Sequence, residues 1–548
     1  MNAPLSATRI NTWLLIVSLL NFVACDRRPN KPKASLKRTV AVQQTHHASR
    51  SPRQDPRLAD QVAFKIVPPR TAKPKQAVDV VLITLDTTRA DYLQPYQKVR
   101  PTSPFLNALS EQGVTFTNAY ATASWTSPSM ASVMTGLYPN EHGVSDMVSE
   151  QVDPNDVGIP VLSNQALTLA EMLHGAGFKT FGVCTNMLVN AEAGFAQGYD
   201  EFVGEDTSNL PFPRVAVTSL LPHLRESERY FLWLHYFDAH WVYQEQAPWF
   251  DQWNDSSFRT GADFMGEATQ WAYRNKHELG ASDPIPPAEV PRLINQLLAI
   301  NFDPNNLIES VNAVAPESER ARIIDDYLRY LRAAYRSELR VVDYDMQRVL
   351  ENIGVDDNTL LIVTSDHGDE FLDHGKLGHN LASLYNELIR VPLVVRLPGG
   401  KHAGLVIDEP VSLVDLVPSI LDLLNLPSPT GLSGRSFANL IEGKKLEKRR
   451  ELVSELNRVG EGNYRAVIRY PWKYIHSLRD NHGELYNLQN DAKERHNLVA
   501  SEQAIARELR QWILNWDKTT KPHWPVPNTV ALDEEDVNVL KALGYLSE

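Results

Sequence analysis

Four runs of unbroken apolar residues, each ending in polar or charged ones, punctuate the chain. They are Val80-Val81-Leu82-Ile83-Thr84-Leu85-Asp86, Phe181-Gly182-Val183-Cys184, Phe231-Leu232-Trp233-Leu234-His235 and Leu360-Leu361-Ile362-Val363-Thr364-Ser365-Asp366-His367. Continuous rather than alternating hydrophobicity predicts strands buried on both faces, as in a parallel sheet covered by helices. Helical patterns lie between them. Thr168 followed by Glu171 has the spacing of a capping box, and Gly175 and Gly177 predict where that helix stops. Ile324, Leu328, Leu331, Tyr335, Leu339, Val342, Met346 and Val349 fall on one stripe and predict a longer helix over residues 324–350. The expected fold class is therefore α/β, a mostly parallel central sheet with helices on both faces. Ligands of such sheets bind beyond the carboxyl ends of the strands. Asp86, His235 and the Asp366-His367 pair all lie at such ends, which brings groups of metal-ligand type to one edge.

Composition narrows the function. With 548 residues, 43% of them hydrophobic, the chain has material for a large core. A net charge of -13 argues against nucleic acid as a partner, since phosphate backbones are held by surplus Lys and Arg. Two cysteines, Cys25 and Cys184, are too few for a disulfide framework, and Cys184 at a strand end reads as packing. Residues 1–25 carry Arg9, an apolar run from Trp13 to Leu20, and then Asn21-Phe22-Val23-Ala24-Cys25. The run is too short to span a bilayer and reads as a secretory signal. Its end is similar to a bacterial lipobox, and Asp26 resembles the signal that retains lipoproteins at the inner membrane. The expectation is a periplasmic, membrane-anchored protein, with an uncleaved signal anchor as the competing reading. Residues 26–76 follow as a basic, Pro-rich tether with 13 Lys and Arg against three Asp up to Lys75. That charge can lie on anionic headgroups or serve a plain spacer. The catalytic body is expected over 77–450 and a smaller α+β subdomain over 451–548. A Pro-, Asp- and Asn-rich stretch from Pro248 to Arg320 reads as an insertion near the mouth of the site.

From Val78 onward the chain resembles the sulfatase family of the alkaline-phosphatase superfamily. The resemblance rests on Leu82-Ile83-Thr84-Leu85-Asp86-Thr87-Thr88-Arg89-Ala90-Asp91, Ser129-Met130-Ala131-Ser132-Val133-Met134-Thr135-Gly136-Leu137-Tyr138-Pro139, His235-Tyr236-Phe237-Asp238-Ala239-His240 and Ser365-Asp366-His367-Gly368-Asp369-Glu370. Ile389-Arg390-Val391-Pro392-Leu393, Val414-Asp415-Leu416-Val417-Pro418 and Glu484-Leu485-Tyr486-Asn487-Leu488 follow in the family's order. The resemblance implies a metal site of Asp86, Thr126, Asp366 and His367, with His240 as the proton donor to the leaving oxygen and His379 as a substrate contact. Arg465, Lys473 and the Glu484-Leu485-Tyr486 stretch resemble the family's C-terminal subdomain, which borders the pocket.

The departures from the family are as informative. A sulfatase oxidises the Cys or Ser of a Cys-x-Pro-x-Arg motif to formylglycine, but this chain reads Thr126-Ser127-Pro128-Ser129-Met130. Threonine is not a substrate of that oxidation, Met130 stands where the arginine belongs, and Ser127 is one position late relative to the proline. Phosphotransfer branches of the superfamily resemble this chain in placing threonine there. A threonine activated by a metal and by the start of a helix is a workable nucleophile, and Pro128 with the run after it predicts that Thr126 caps a helix. Val183-Cys184-Thr185-Asn186-Met187 replaces the Gly-Lys-Trp-His pattern whose lysine and histidine grip sulfate, leaving Asn186 as a neutral donor to substrate. Thr87 follows Asp86 where sulfatases often have a second Asp, so the set suits zinc or manganese better than calcium. His379 lies 13 residues after Asp366, as in phosphoethanolamine transferases, and with His240 leaves room for a second metal. His374 is expected to support the site from behind. Trp241, Tyr243 and Trp249 either line the pocket or pack beside it.

The expected activity is hydrolysis of a phosphate ester, a diester in preference, by in-line displacement from Thr126. Sulfate ester hydrolysis without formylglycine and transfer to an alcohol are the close alternatives. An inactive relative that binds a carbohydrate or lipid is the alternative from another class. The expected partner is a small-molecule, carbohydrate or lipid ester.

Overall fold

The structure, a computed structural model, describes residues 78–145, 158–204, 213–241, 243–257, 317–379, 383–444, 450–458, 462–525 and 529–531. The signal, the tether and most of the expected insertion lie outside them. Among the described residues no helix is long and apolar enough to cross a membrane. Two compact units are distinguished, Met1–Asp55 with Asn254–Tyr330 and Pro56–Trp253 with Leu331–Glu548. In the first, Ser257 N donates to Asp326 Oδ1 at 3.1 Å and the Arg329 guanidinium meets the same oxygen at 2.9 Å.

The second unit is built on a nine-stranded sheet. Its strands in chain order are β1 (Asp79–Leu85), β2 (Val114–Tyr120), β3 (Lys179–Cys184), β4 (Glu201–Val203), β5 (Tyr230–Tyr236), β6 (Thr359–Ser365), β7 (Arg390–Arg396), β8 (Leu405–Ile407) and β9 (Val411–Ser412). Across the sheet the order is β8-β2-β7-β6-β1-β5-β3-β4, with β9 also beside β2. Only β7 runs antiparallel to its neighbours. Every residue of β1, β5 and β6 is buried, which is what their unbroken apolar runs require of strands covered on both faces. In β3 a Cβ on Gly182 would lie 2.6 Å from the Phe202 ring of the neighbouring strand. Glycine there lets Tyr199, Phe202, Phe231 and Trp233 form one aromatic cluster.

Register decides where the site lies. Thr84 of β1 pairs with His235 of β5 and with Thr364 of β6, and Cys184 of β3 pairs with His235. The four parallel strands therefore end level, and the residues just past them emerge together at one edge. The helices hold this edge in place. The Thr168 capping box forms as its spacing predicts, with Glu171 N donating to Thr168 Oγ1 at 3.2 Å and Thr168 N to Glu171 Oε2 at 2.8 Å. The long helix runs Glu317–Ile353, and its stripe from Leu331 to Val349 is buried. Tyr335 on that helix donates to Thr87 O at 2.8 Å and accepts from Arg89 N at 3.0 Å, fixing the turn after β1.

The C-terminal segment forms a four-stranded antiparallel sheet, β10 (Leu452–Arg458), β11 (Gly462–Arg469), β12 (Trp472–Ser477) and β13 (Gly483–Asn487), in that order. Its alternation has period two. Leu452, Leu456, Ala466, Ile468 and Ile475 join the main core. Val453, Val467, Tyr474 and Leu485 face Ala506, Leu509 and Ile513 of the helix Gln503–Thr519. Arg465 and Lys473 have structural partners here, Asp517 at 2.7 Å and Glu494 at 2.6 Å.

Glu455 of β10 is buried at the seam, where its N–H donates to Thr122 O at 2.7 Å and its Oε1 accepts from Asn140 N at 3.1 Å. Burial pushes its carboxyl up to about 7 against the attraction of Arg465, whose guanidinium is 3.6 Å away and closer to Asp517. The folded state thus holds a proton there that the unfolded chain releases near 4.5. Stability from this group is full below 4.5 and is lost as pH rises through about 7. Urea denaturation across that window should show Glu455→Gln with a flatter pH dependence than the wild type; parallel curves would assign the proton elsewhere.

Candidate active site

Asp86, Asn186 and the Asp366-His367 pair follow the level ends of β1, β3 and β6, and His235 lies within the end of β5. Asp86, Asp366 and His367 are fully buried, and each offers a ligand atom within 4.8 Å of the other two. His367 Nε2 is 3.8 Å from Asp86 Oδ1, 3.4 Å from Asp366 Oδ2 and 3.3 Å from Thr126 Oγ1. Atoms bound tetrahedrally at roughly 2.1 Å from a metal stand about 3.4 Å apart, so this spacing fits a shared divalent ion.

The chemistry of the donors fits as well. Asp86 Oδ1 and Asp366 Oδ2 have no hydrogen-bond partner among the described residues. His367 Nδ1 donates to Gly368 O at 2.8 Å, which turns the lone pair of Nε2 toward the carboxylates. Burial, then the charge of Asp86, pushes the Asp366 carboxyl up to about 6. Burial also acts to raise Asp86, but the hydrogen bond from His235 and the charges of His240, His235 and His367 hold it below the usual carboxylate range. Two buried carboxylates of which one resists ionisation are the arrangement a cation relieves. Asp366 Oδ1 is held by the N–H of His367 at 2.7 Å and of Thr87 at 3.2 Å. A Cβ on Gly368 would meet Glu387 O at 2.0 Å, so the residue after His367 must be glycine for the backbone to pass.

Thr126 begins the helix Thr126–Thr135, all ten residues of which are buried. The expectation that Thr126 caps this helix is corrected by one residue: the extended Trp125 is the N-cap, and Thr126 is the first helical residue. No side-chain cap is made at Trp125, and Thr126 Oγ1 turns to His367 instead. Three other hydroxyls of the helix are also engaged. Ser129 Oγ donates to Asp366 O at 2.6 Å, Ser132 Oγ pairs with His142 Nε2 at 3.1 Å, and Thr135 Oγ1 donates to Ala131 O at 2.7 Å.

The histidines surround this centre. His240 stacks on Phe237, with ring centroids 4.5 Å apart, and its Nδ1 donates to Trp241 O at 2.6 Å. His379 stands 4.8 Å from the His240 ring and 4.6 Å from the His367 ring. Burial lowers both imidazoles, His379 to about 4 with His367 adding to the effect. His235 braces Asp86: its Nε2 is 3.4 Å from Asp86 Oδ2, and its Nδ1 is 2.8 Å from Thr84 Oγ1.

Asp369 was not singled out by sequence reasoning, although it lies in the Ser365–Glu370 motif. Its Oδ1 is 3.3 Å from His379 Nδ1, and its Oδ2 accepts from the Tyr243 hydroxyl. Tyr243 is thus a buried support for His379 through Asp369. Trp249 is buried under the Arg340 guanidinium. His374 is set back from the centre, with Nε2 3.0 Å from Glu494 O.

Asn186 Nδ2 donates to Asp86 Oδ2 at 2.5 Å, and its Oδ1 accepts from Leu188 N at 2.8 Å. This geometry turns Asn186 on Asp86, one of the candidate metal ligands; the sequence reading placed it as a donor to substrate. Asn186→Ala is expected to weaken metal binding about 10–100-fold, read by competition with a chelator. Unchanged metal affinity with a raised KM would return the residue to the substrate.

The family model described as Sulfatase matches residues 79–426, and one described as N-sulphoglucosamine sulphohydrolase, C-terminal, matches 375–518. An arylsulfatase of Clostridium perfringens is 24% identical over 467 residues, covering 78% of this chain and 91% of that one. An N-acetylgalactosamine-6-O-sulfatase of Bacteroides thetaiotaomicron is 23% identical over 498 residues, 80% of this chain and 92% of its own. The crystal structure of the phosphonate monoester hydrolase of Agrobacterium radiobacter superposes with a TM-score of 0.57 at 20% identity, over 81% of this chain and 96% of that one. With the family model covering most of the fold and a group able to hold a metal assembled at its sheet edge, the chain belongs to the sulfatase family of ester hydrolases.

Proposed function

We propose that the protein hydrolyses a singly charged phosphoryl ester, a phosphate diester in preference, with Thr126 as nucleophile. The observation that carries this reading is the position of Thr126 Oγ1, 3.3 Å from His367 Nε2 on the first residue of a buried helix. A hydroxyl so placed needs no oxidation to react. Met130, where formylglycine formation needs arginine, is buried in the same helix.

A bound divalent ion supplies positive charge to the Thr126 oxygen and to the transferred group. Asp86, Asp366 and His367 would hold it, beside Thr126. Thr126 Oγ attacks phosphorus in line and the bond to the leaving oxygen breaks. The proton released from the Thr126 hydroxyl is taken up at Nε2 by His240, kept neutral by burial despite Asp86, and passed to that oxygen. Its Nδ1–H bond to Trp241 O fixes the ring for the transfer. Water then attacks the phosphothreonine and releases the side chain. His379, oriented by Asp369, contacts the transferred oxygens. The absence of a lysine and histidine at 184–187 lowers the positive charge at the site and favours a monoanionic group.

Sulfate is the second reading, favoured by relatives named as sulfatases, one of them for an N-acetylgalactosamine sulfate. The same displacement applies to sulfur. We assign the chain to the periplasmic face of a membrane through Cys25, a reading supported by Ala24-Cys25-Asp26. Incorporation of labelled palmitate that disappears in Cys25→Ser would support it, and equal labelling of both proteins would refute it.

The central test compares an aryl phosphate diester, a phosphonate monoester, a phosphate monoester and an aryl sulfate, with zinc, manganese or calcium, on the full chain. Diester turnover should be fastest, and Thr126→Ala should lower it by at least about 10³-fold. Preferential turnover of sulfate would establish the second reading, and a Thr126→Ala enzyme of full activity would remove Thr126 from the chemistry.

A further inference from the structure

Four residues past Asp366 the chain enters a two-strand hairpin, Glu370–Phe371 against Leu377–Gly378, with Asp369 before it and His379 after it. We propose that Glu370 and His374 of this hairpin, with Glu387, hold a second divalent cation of the zinc or manganese class, separate from the Asp86 centre.

Glu370 and Glu387 are buried and His374 nearly so, and each offers a ligand atom within 4.8 Å of the other two. Glu370 Oε1 is satisfied by the N–H groups of His374 at 2.8 Å and Lys376 at 3.0 Å. Glu370 Oε2 is buried with no hydrogen-bond partner among the described residues. The His374 ring lies flat on Tyr385, with centroids 3.6 Å apart and planes 9° from parallel. Its Nε2 is 3.0 Å from Glu494 O. A carbonyl only accepts, so a hydrogen sits on Nε2, and in its neutral form the ring presents a lone pair at Nδ1. That lone pair faces Glu387 Oε1 in close contact.

Two acceptors in contact require a proton or a cation between them. One proton would satisfy His374 and Glu387 but leave Glu370 Oε2 without a partner. A cation satisfies all three at once. Lys473, the nearby ammonium, is already committed to Glu494 Oε1 at 2.6 Å and Asn386 Oδ1 at 3.0 Å. Two carboxylates and an imidazole form a donor set for zinc or manganese. Such an ion would tie the hairpin to the short helix Asn386–Ile389, whose Glu387 carbonyl backs Gly368.

The test is a manganese titration of the metal-stripped full chain, with free ion counted by electron paramagnetic resonance. Two ions per chain are expected for the wild type, one for Glu370→Gln or Glu387→Gln, and one for Asp86→Asn, which loses the other site. A wild type that binds a single ion lost in Asp86→Asn overturns the proposal, as do two ions in folded Glu370→Gln and Glu387→Gln proteins. If those variants do not fold, anomalous scattering from wild-type crystals soaked in manganese decides. A peak among Glu370, His374 and Glu387 supports the site, and a clean map there overturns it.

Discussion

Two carboxylates buried side by side at the ends of adjacent parallel strands repel each other in a medium that screens little, and most of the local structure serves to make that arrangement tenable. Asp86 and Asp366 are brought together by a register that ends β1 and β6 level. His235 and Asn186 brace one of them, while backbone N–H groups of Thr87 and His367 brace the other. Each carboxylate is left with one oxygen without a donor among the described residues, and these face the imidazole whose tautomer Gly368 fixes. The protein stores this repulsion as an affinity for positive charge.

Placing threonine at the edge of that centre changes the kind of chemistry the family scaffold supports. An aldehyde hydrate would need an oxidised cysteine or serine two residues before the proline and an arginine two residues after it, and the helix Thr126–Thr135 has Thr126 and Met130 at those places. Its packing is instead directed at geometry: Ser129 ties the helix to the carbonyl of Asp366, so Thr126 and Asp366 share one rigid frame. A site that must not move during reaction benefits from such a frame, because its dipoles are aimed before charge develops.

Much of this frame was legible in the sequence, for physical reasons. Unbroken apolar runs are diagnostic when both faces of a sheet are covered, so β1, β5 and β6 were found and the residues past their ends followed. The capping box at Thr168 was legible because its partners are three residues apart. Interactions between distant segments left no local trace. Asn186 and His235 both looked like groups for substrate or metal, and only the sheet register shows them turned on Asp86. Asp369 gave no signal of its own, because its role depends on Tyr243 and His379 arriving from either side. The start of the nucleophile helix was misplaced by one residue because Trp125, a poor capping residue, is held extended by the fold.

The seam between the two sheets has a consequence for how this enzyme can vary. Glu455 of the C-terminal sheet forms a bridge with Ala123 and takes the carbonyl of Thr122, while Ser454 bonds to Ala121. These residues lie three to five positions before Thr126. The C-terminal sheet is therefore a splint on the segment that leads into the Thr126 helix, and exchanging it between relatives would shift Thr126 at the same time.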